Sequence, residues 1–296
     1  MTEFNADPAR LSFGVELELG DVDRRVAIPA CLGEWEYSET DVVNRKGQYR
    51  GRACDPLGID PPVGGEINVM PSRTVADAVE KIAQIFSHLQ NAGQTPTLSF
   101  TSGYHVHVRV AGLRNNIDEL KRVARWVKRH QAEAVSLCWA YQEHPSMKNT
   151  KTARTYMKYD GGRLMPEWML DNILAPATRS FRDFIKMHCC GKDGKTLGRP
   201  FRYAINTYCL KHIDTIEFRC FRMSDELALL ESPLVFARET VLSMLRGDLL
   251  SPSLIAKANS LSFQPMLYDH DLYLSWERSR YGKERGRKVR TLRKCD

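Results

Sequence analysis

The chain has 296 residues, of which 43% are hydrophobic and 27% charged, with a formal net charge of +7; it is long enough to bury a substantial core. No stretch approaches the roughly 20 apolar residues of a membrane span, and Met1 to Arg10 lack the apolar run of a secretory signal, so the expectation is a cytoplasmic protein with no membrane partner. From Glu277 onward there are nine Lys or Arg against three Asp or Glu; the body is therefore near neutral, and the nucleic-acid reading that a basic chain invites attaches to residues 276–296, where a solvated tail is the simpler account.

The first element in chain order is a strand, Phe13-Gly14-Val15-Glu16-Leu17-Glu18-Leu19, whose alternation puts Glu16 and Glu18 on one face and Val15, Leu17 and Leu19 on the other. Residues 20–65 follow as a long irregular insertion, a length that suggests a role in covering a site or binding substrate. Weak alternation at Gly33-Glu34-Trp35-Glu36-Tyr37 and Gln48-Tyr49-Arg50 points to a hairpin within it. Gly64 to Pro71 reads as a short strand that carries Glu66 and is ended by the proline.

A helix is expected over Thr74–Asn91, from the period of Val75, Ala78, Val79, Ile82, Ile85, Phe86 and Leu89, with Thr74 at its start and Gly93 as a stop. Tyr104 to Val110 is a central strand with His105, His107 and Arg109 on one face and Val106, Val108 and Val110 on the other. A second helix starts near Asn116, which forms a capping box with Glu119, and runs to about Tyr141. Met165 to Met187 reads as helical with a break at Pro176, after a basic loop near 148–163.

Phe201 to Cys209 and Ile213 to Phe221 alternate as a strand pair around a turn at Leu210-Lys211-His212, the second strand placing Glu217 and Arg219 opposite Ile216 and Phe218. A last helix covers about Asp225 to Leu245, with Pro233 as a kink. The fold class is therefore α+β: a largely antiparallel sheet of at least five strands, helices on one face, a polar cleft on the other. The eight cysteines are scattered without the CxxC spacing of a structural zinc site, which favours free thiols.

Taken singly, each polar pair has a bland account: Glu-x-Glu as a solvated sheet face, His-x-His as a satisfied pair, Glu-x-Arg as a surface ladder. Three such strands in one chain, each with an apolar back, favour a shared pocket, and Gly14, Gly65 and Gly103 beside them suit close approach of backbone to ligand. Carboxylates from Glu16, Glu18, Glu66 and Glu217 would repel by roughly 4 kcal/mol per pair at about 4 Å and an effective dielectric near 20. Divalent cations relieve that cost; oxygen ligands with an imidazole suit Mg²⁺ or Mn²⁺, and Arg219 and Arg202 are placed to neutralise phosphate.

In their order, Phe13-Gly14-Val15-Glu16-Leu17-Glu18, Gly65-Glu66-Ile67 with Pro71, Ser102-Gly103-Tyr104-His105-Val106-His107, Arg202 with Asn206, and Thr215-Ile216-Glu217-Phe218-Arg219, the motifs resemble the amidoligase family of the glutamine synthetase-like carboxylate–amine ligases. The resemblance implies a curved antiparallel sheet that cradles ATP and two or three Mg²⁺ or Mn²⁺ ions. It implies activation of a carboxylate as an acyl phosphate and attack by an amine, giving an amide or isopeptide bond. On that resemblance Glu16, Glu18, Glu66, His105 and Glu217 are metal ligands, His107 is a phosphate contact, and Arg219 and Arg202 neutralise the transferred γ-phosphoryl group and the acyl phosphate. Asn206 orients substrate or backbone, and Asp55 or Asp60 is the candidate for a further acidic ligand. The catalytic domain would cover 1–275, leaving the basic tail as a contact for an anionic or nucleic-acid partner. Two competing readings are a phosphotransferase of the same fold that needs no amine, and a nucleic-acid-binding protein acting through that tail.

Overall fold

The computed structural model describes residues 7–20, 22–23, 25–36, 64–96, 103–138, 164–191, 203–223 and 227–248. Arg202, Asp55, Asp60, the alternating Gln48–Arg50, the loop 148–163 and the basic tail lie outside the described residues. Among the described residues there are six strands: β1 (Leu11–Gly20), β2 (Gly33–Glu36), β3 (Gly64–Ser72), β4 (Gly103–Val110), β5 (Ile205–Asn206) and β6 (Thr215–Arg222). They form one open sheet in the order β2-β3-β1-β4-β6-β5, antiparallel at every pairing. The helices are α1 (Val75–Asn91), α2 (Ile117–Cys138), α3 (Glu167–Leu174), α4 (Phe181–His188) and α5 (Leu227–Arg246).

Alternation along the strands separates core from cleft. Leu11, Phe13, Val15, Leu17 and Leu19 of β1 are buried while the residues between them are partly open, and Tyr104, Val106, Val108 and Val110 of β4 are fully buried. The apolar face meets the helices: α5 packs on β4, α1 and α2, and the Tyr104 hydroxyl donates to Leu230 O at 3.2 Å. Helix α1 offers Val75, Ala78, Ile82, Ile85 and Leu89 to the same core. Each large side chain buried there contributes about 1.5–3 kcal/mol relative to exposure, so the strands are held by their dry face and the other face is free for chemistry.

Helix ends follow local chemistry. Thr74 Oγ1 accepts from Asp77 N at 3.1 Å and Ser180 Oγ from Asp183 N at 3.1 Å, each satisfying an orphan donor of the first turn. The break between α3 and α4 brackets Pro176, as the sequence suggests. Asn116 caps α2 by accepting from Asp118 N and Glu119 N at 3.2 and 3.1 Å. Glu119, however, does not reach back to complete a capping box. Its carboxylate receives Arg10 Nη1 and Nη2 at 3.0 and 2.9 Å, and Arg10 also donates to Ala111 O, tying the start of β1 to the end of β4.

Two expectations are corrected and a third is met in part. Strand β3 does not end at Pro71 but passes through it to Ser72; the register slips between Phe13↔Ser72 and Val15↔Val69, and the extra β3 residue forms a bulge where a missing N–H is tolerated. The weakly alternating Gly33–Glu36 pairs with β3, while its expected hairpin partner Gln48–Arg50 lies outside the described residues. Of the expected strand Phe201–Cys209, the described part, 203–209, is strand only at Ile205–Asn206, because the Asn206 side chain accepts from Tyr208 N at 3.1 Å and starts a 3-10 helix, Thr207–Lys211.

Candidate active site

Sheet register sets the polar residues in rows across neighbouring strands. One row runs Asn68–Glu16–His105, with Glu34 beyond Asn68; the next toward β2 runs Glu36–Glu66–Glu18; the row on the other side runs Gly14–His107–Glu217–Asn206. Glu16, Glu18, His105, His107, Glu217, Arg219 and Asn206, which the sequence groups in one cleft, are thus neighbours on the same sheet, with Glu66 opposite Glu18. Asn68, Glu34, Glu36, Thr215 and Cys209 were not singled out. Glu34-Trp35-Glu36 carries the same acid-x-acid signal as β1, around a Trp35 that is buried and donates to Val26 O at 2.7 Å.

Glu16 sits at the centre. Its Oε2 lies 2.8 Å from His105 Nδ1 and its Oε1 lies 2.9 Å from His107 Nε2, a charge contact off the line of a hydrogen bond. The second nitrogen of His107 meets Thr215 Oγ1 at 3.0 Å, so both sides of that ring are engaged within the protein. Burial alone would raise the Glu16 carboxyl, but the two imidazoles outweigh it and hold the group far below the ordinary carboxylate range. For His107 burial pulls downward and the Glu16 carboxylate pulls upward, with the upward shift winning.

Glu217 is the second anchor. Asn206 Nδ2 donates to its Oε2 at 2.7 Å, the Cys209 thiol donates to the same oxygen at 2.9 Å, and Arg219 Nη1 pairs with Oε1. Burial favours the neutral acid, yet Arg219, then His107 and His105, keep Glu217 ionised below its usual range. The same burial and the Glu217 charge push the Cys209 thiol well up, which keeps it protonated and donating. Burial would lower the Arg219 guanidinium, and Glu217, Glu18 and Glu16 more than reverse that.

The strong repulsion expected among the carboxylates is therefore met from inside, by Arg219 and the two imidazoles. Arg219 lies two residues from Glu217 and so shares its face, and just there β6 carries an extra residue: pairing runs Val106↔Phe218 and then Tyr104↔Phe221, leaving Arg219 and Cys220 opposite His105 as a bulge. Its Nε is buried and has no hydrogen-bond partner among the described residues.

Gly103 N donates to Glu18 Oε2 at 2.6 Å, and a Cβ there would stand 2.6 Å from that oxygen and 2.7 Å from His105 Nε2. Close approach thus demands glycine at Gly103, but not at Gly14, where a Cβ would make ordinary contact with His107 at 3.5 Å. Glu16, His105 and Glu217 each offer a ligand atom within 4.8 Å of the others, two carboxylates and an imidazole that suit a hard divalent ion.

No protein-family model matches the chain, and no curated protein matches it. Among solved structures, a bifunctional glutathione synthetase from Pasteurella multocida is similar with a TM-score of 0.48 at 13% identity, over 94% of this chain and 46% of that one. The chain spans about half the length of that protein, and a likeness at this level leaves the reading of function to the site. No helix among the described residues is long and apolar enough to cross a membrane.

Proposed function

We propose that the protein is an ATP-dependent carboxylate–amine ligase of amidoligase type. The observation that carries this reading is the convergence of Glu16, His105 and Glu217 from three adjacent strands to within 4.8 Å, beside a buried arginine whose Nε has no partner among the described residues. Glu16, Glu18, Glu66, His105 and Glu217 would hold Mg²⁺ or Mn²⁺, which when bound neutralises nucleotide phosphates and polarises the transferring phosphoryl group.

The chain's own residues then divide the work. His107 and Thr215 fix Glu16; contact of His107 with a phosphate requires Glu16 to be drawn away from it. Asn206 and Cys209 hold one oxygen of Glu217, so the other keeps Arg219 extended toward anionic oxygens. A substrate carboxylate oxygen attacks the γ-phosphorus as the bond to the β-phosphate oxygen breaks and ADP leaves. An amine nitrogen next attacks the acyl carbon, phosphate departs and the amine loses a proton. Arg219, together with Arg202, neutralises the phosphoryl group through both steps, and catalysis comes from placement and fixed charge.

Incubation with Mg-ATP and pools of carboxylates and amines, read by mass spectrometry, should give ADP together with a product lighter by one water than its two parents. ADP without a joined product would favour the phosphotransferase reading. A folded sample that forms no ADP and ignores magnesium would overturn both.

A further inference from the structure

The helix layer contains a cavity of about 160 Å³ between α2 and the C-terminal end of α5, lined by Arg122, Arg125, Trp126, Arg129, His130 and Gly247. None of these residues belongs to the sheet. Spacings of three and four place Arg122, Arg125 and Arg129 along one face of α2, where like charges destabilise a helix by a few tenths of a kcal/mol. Elsewhere on α2 the polar charges are answered: Lys128 pairs with Asp171, Glu119 with Arg10, and Lys121 donates to Ala175 O at 3.0 Å.

In the cavity, two of the arginines are not answered by any acid among the described residues. Arg122 Nη1 donates to Leu245 O at 2.8 Å and Arg125 Nε to Lys121 O at 3.2 Å, but neither Arg125 nor Arg129 has an ion-pair partner among the described residues. Of the acids nearby, one is engaged outside it and the other faces a lining residue. The Asp248 carboxylate accepts from Arg246 Nε at 2.7 Å, and Glu133 lies 4.0 Å from His130 Nδ1.

The floor is rigid. Trp126 is buried, donates through Nε1 to Ser243 Oγ and Asp248 O at 3.1 and 3.0 Å, and leans on the His130 ring at 5.3 Å. Gly247 closes α5 at φ +80°, with its N bonded to Ser243 O at 2.8 Å, and leaves the rim without a side chain.

We propose that this cavity binds the phosphate group of a small phosphorylated ligand, with the forked guanidinium groups of Arg125 and Arg129 as its charge contacts. A single concave pocket of this size suits a discrete phosphate rather than the extended backbone of a nucleic acid. The site is independent of the sheet cleft and of the activity proposed for it.

The test is calorimetric titration of the full chain with inorganic pyrophosphate at low salt in EDTA, which keeps divalent ions out of the carboxylate cleft. Saturable one-site binding is expected, weakened at least tenfold by Arg125→Gln with Arg129→Gln and unchanged by Arg219→Gln. Both arginines are exposed, so the double variant should retain the wild-type circular dichroism and melting midpoint. Arg129→Lys, which keeps charge and loses the planar fork, should fall between. Absence of saturable binding at millimolar pyrophosphate would overturn the proposal, as would equal affinity in the double variant or loss confined to Arg219→Gln. A DNA oligonucleotide binding more tightly than pyrophosphate, with a salt dependence that the double variant lowers, would overturn it in favour of a polymer.

Discussion

At the scale of single residues, Glu217 is the most exacting position, because three donors from two strands and a 3-10 helix converge on its two oxygens. Glu217→Gln should abolish ADP formation in a coupled assay; normal turnover would remove Glu217 from the proposed mechanism. It should also lower stability, since Arg219 is left buried without its counter-ion, a class of change that costs about 3–5 kcal/mol. Cys209→Ala is milder. Asn206 still holds the carboxylate, so the expected loss is about 1 kcal/mol in a urea melt, with several-fold weaker Mn²⁺ binding. The acids, imidazoles and Arg219 were legible because alternation alone assigns their face. Cys209 was not, since it reaches Glu217 only after the chain turns at Asn206, and no strand period reports a turn that a side-chain amide makes.

At the scale of elements, Gly103 connects strand geometry to the site. Gly103→Ala drives a methyl into Glu18 and His105, and the expected outcome is loss of Mn²⁺ binding with the far-ultraviolet spectrum kept; unchanged affinity would show that the ligands yield freely. Helix α4 carries a separate test. His188 is fully buried, donates from Nδ1 to Phe184 O and accepts at Nε2 from Thr207, and its pKa is held by burial at about 4. The folded value lies below the unfolded one, so this stability is present above pH about 6.5 and is lost as pH falls toward 4. Between pH 7.5 and 5 the wild type should lose about 2 kcal/mol more than His188→Gln, compared by denaturant midpoints. Helix positions were readable from period and caps. The bulge in β6 also left a sign: Phe218 and Phe221 both face the core, stacked at 6.3 Å, although an odd separation cannot share a face of a regular strand.

At the scale of the molecule, the sheet divides a dry side from a charged one. Ions that bind only the folded cleft stabilise it by mass action, about 2.7 kcal/mol at a hundredfold excess over the dissociation constant. Millimolar Mn²⁺ should therefore raise the melting midpoint by several degrees, an effect that EDTA reverses and Glu16→Gln with Glu18→Gln removes. An equal shift in that double variant would place the ions elsewhere. The layer order followed from the strands' apolar halves, whereas the order of strands did not, because β2 reaches its place beside β3 across a connection whose length carries no direction. The added residue at Arg219–Cys220 has a consequence for how this chain can vary. Deleting Cys220 would bring Phe221 to two residues from Phe218, the spacing at which a regular strand keeps both on the core face, so the strand would lose its bulge opposite His105 without turning Phe221 outward. Inserting one further residue between them would demand a second bulge to keep the pairing that follows, so the stretch should accept loss of one residue better than gain of one.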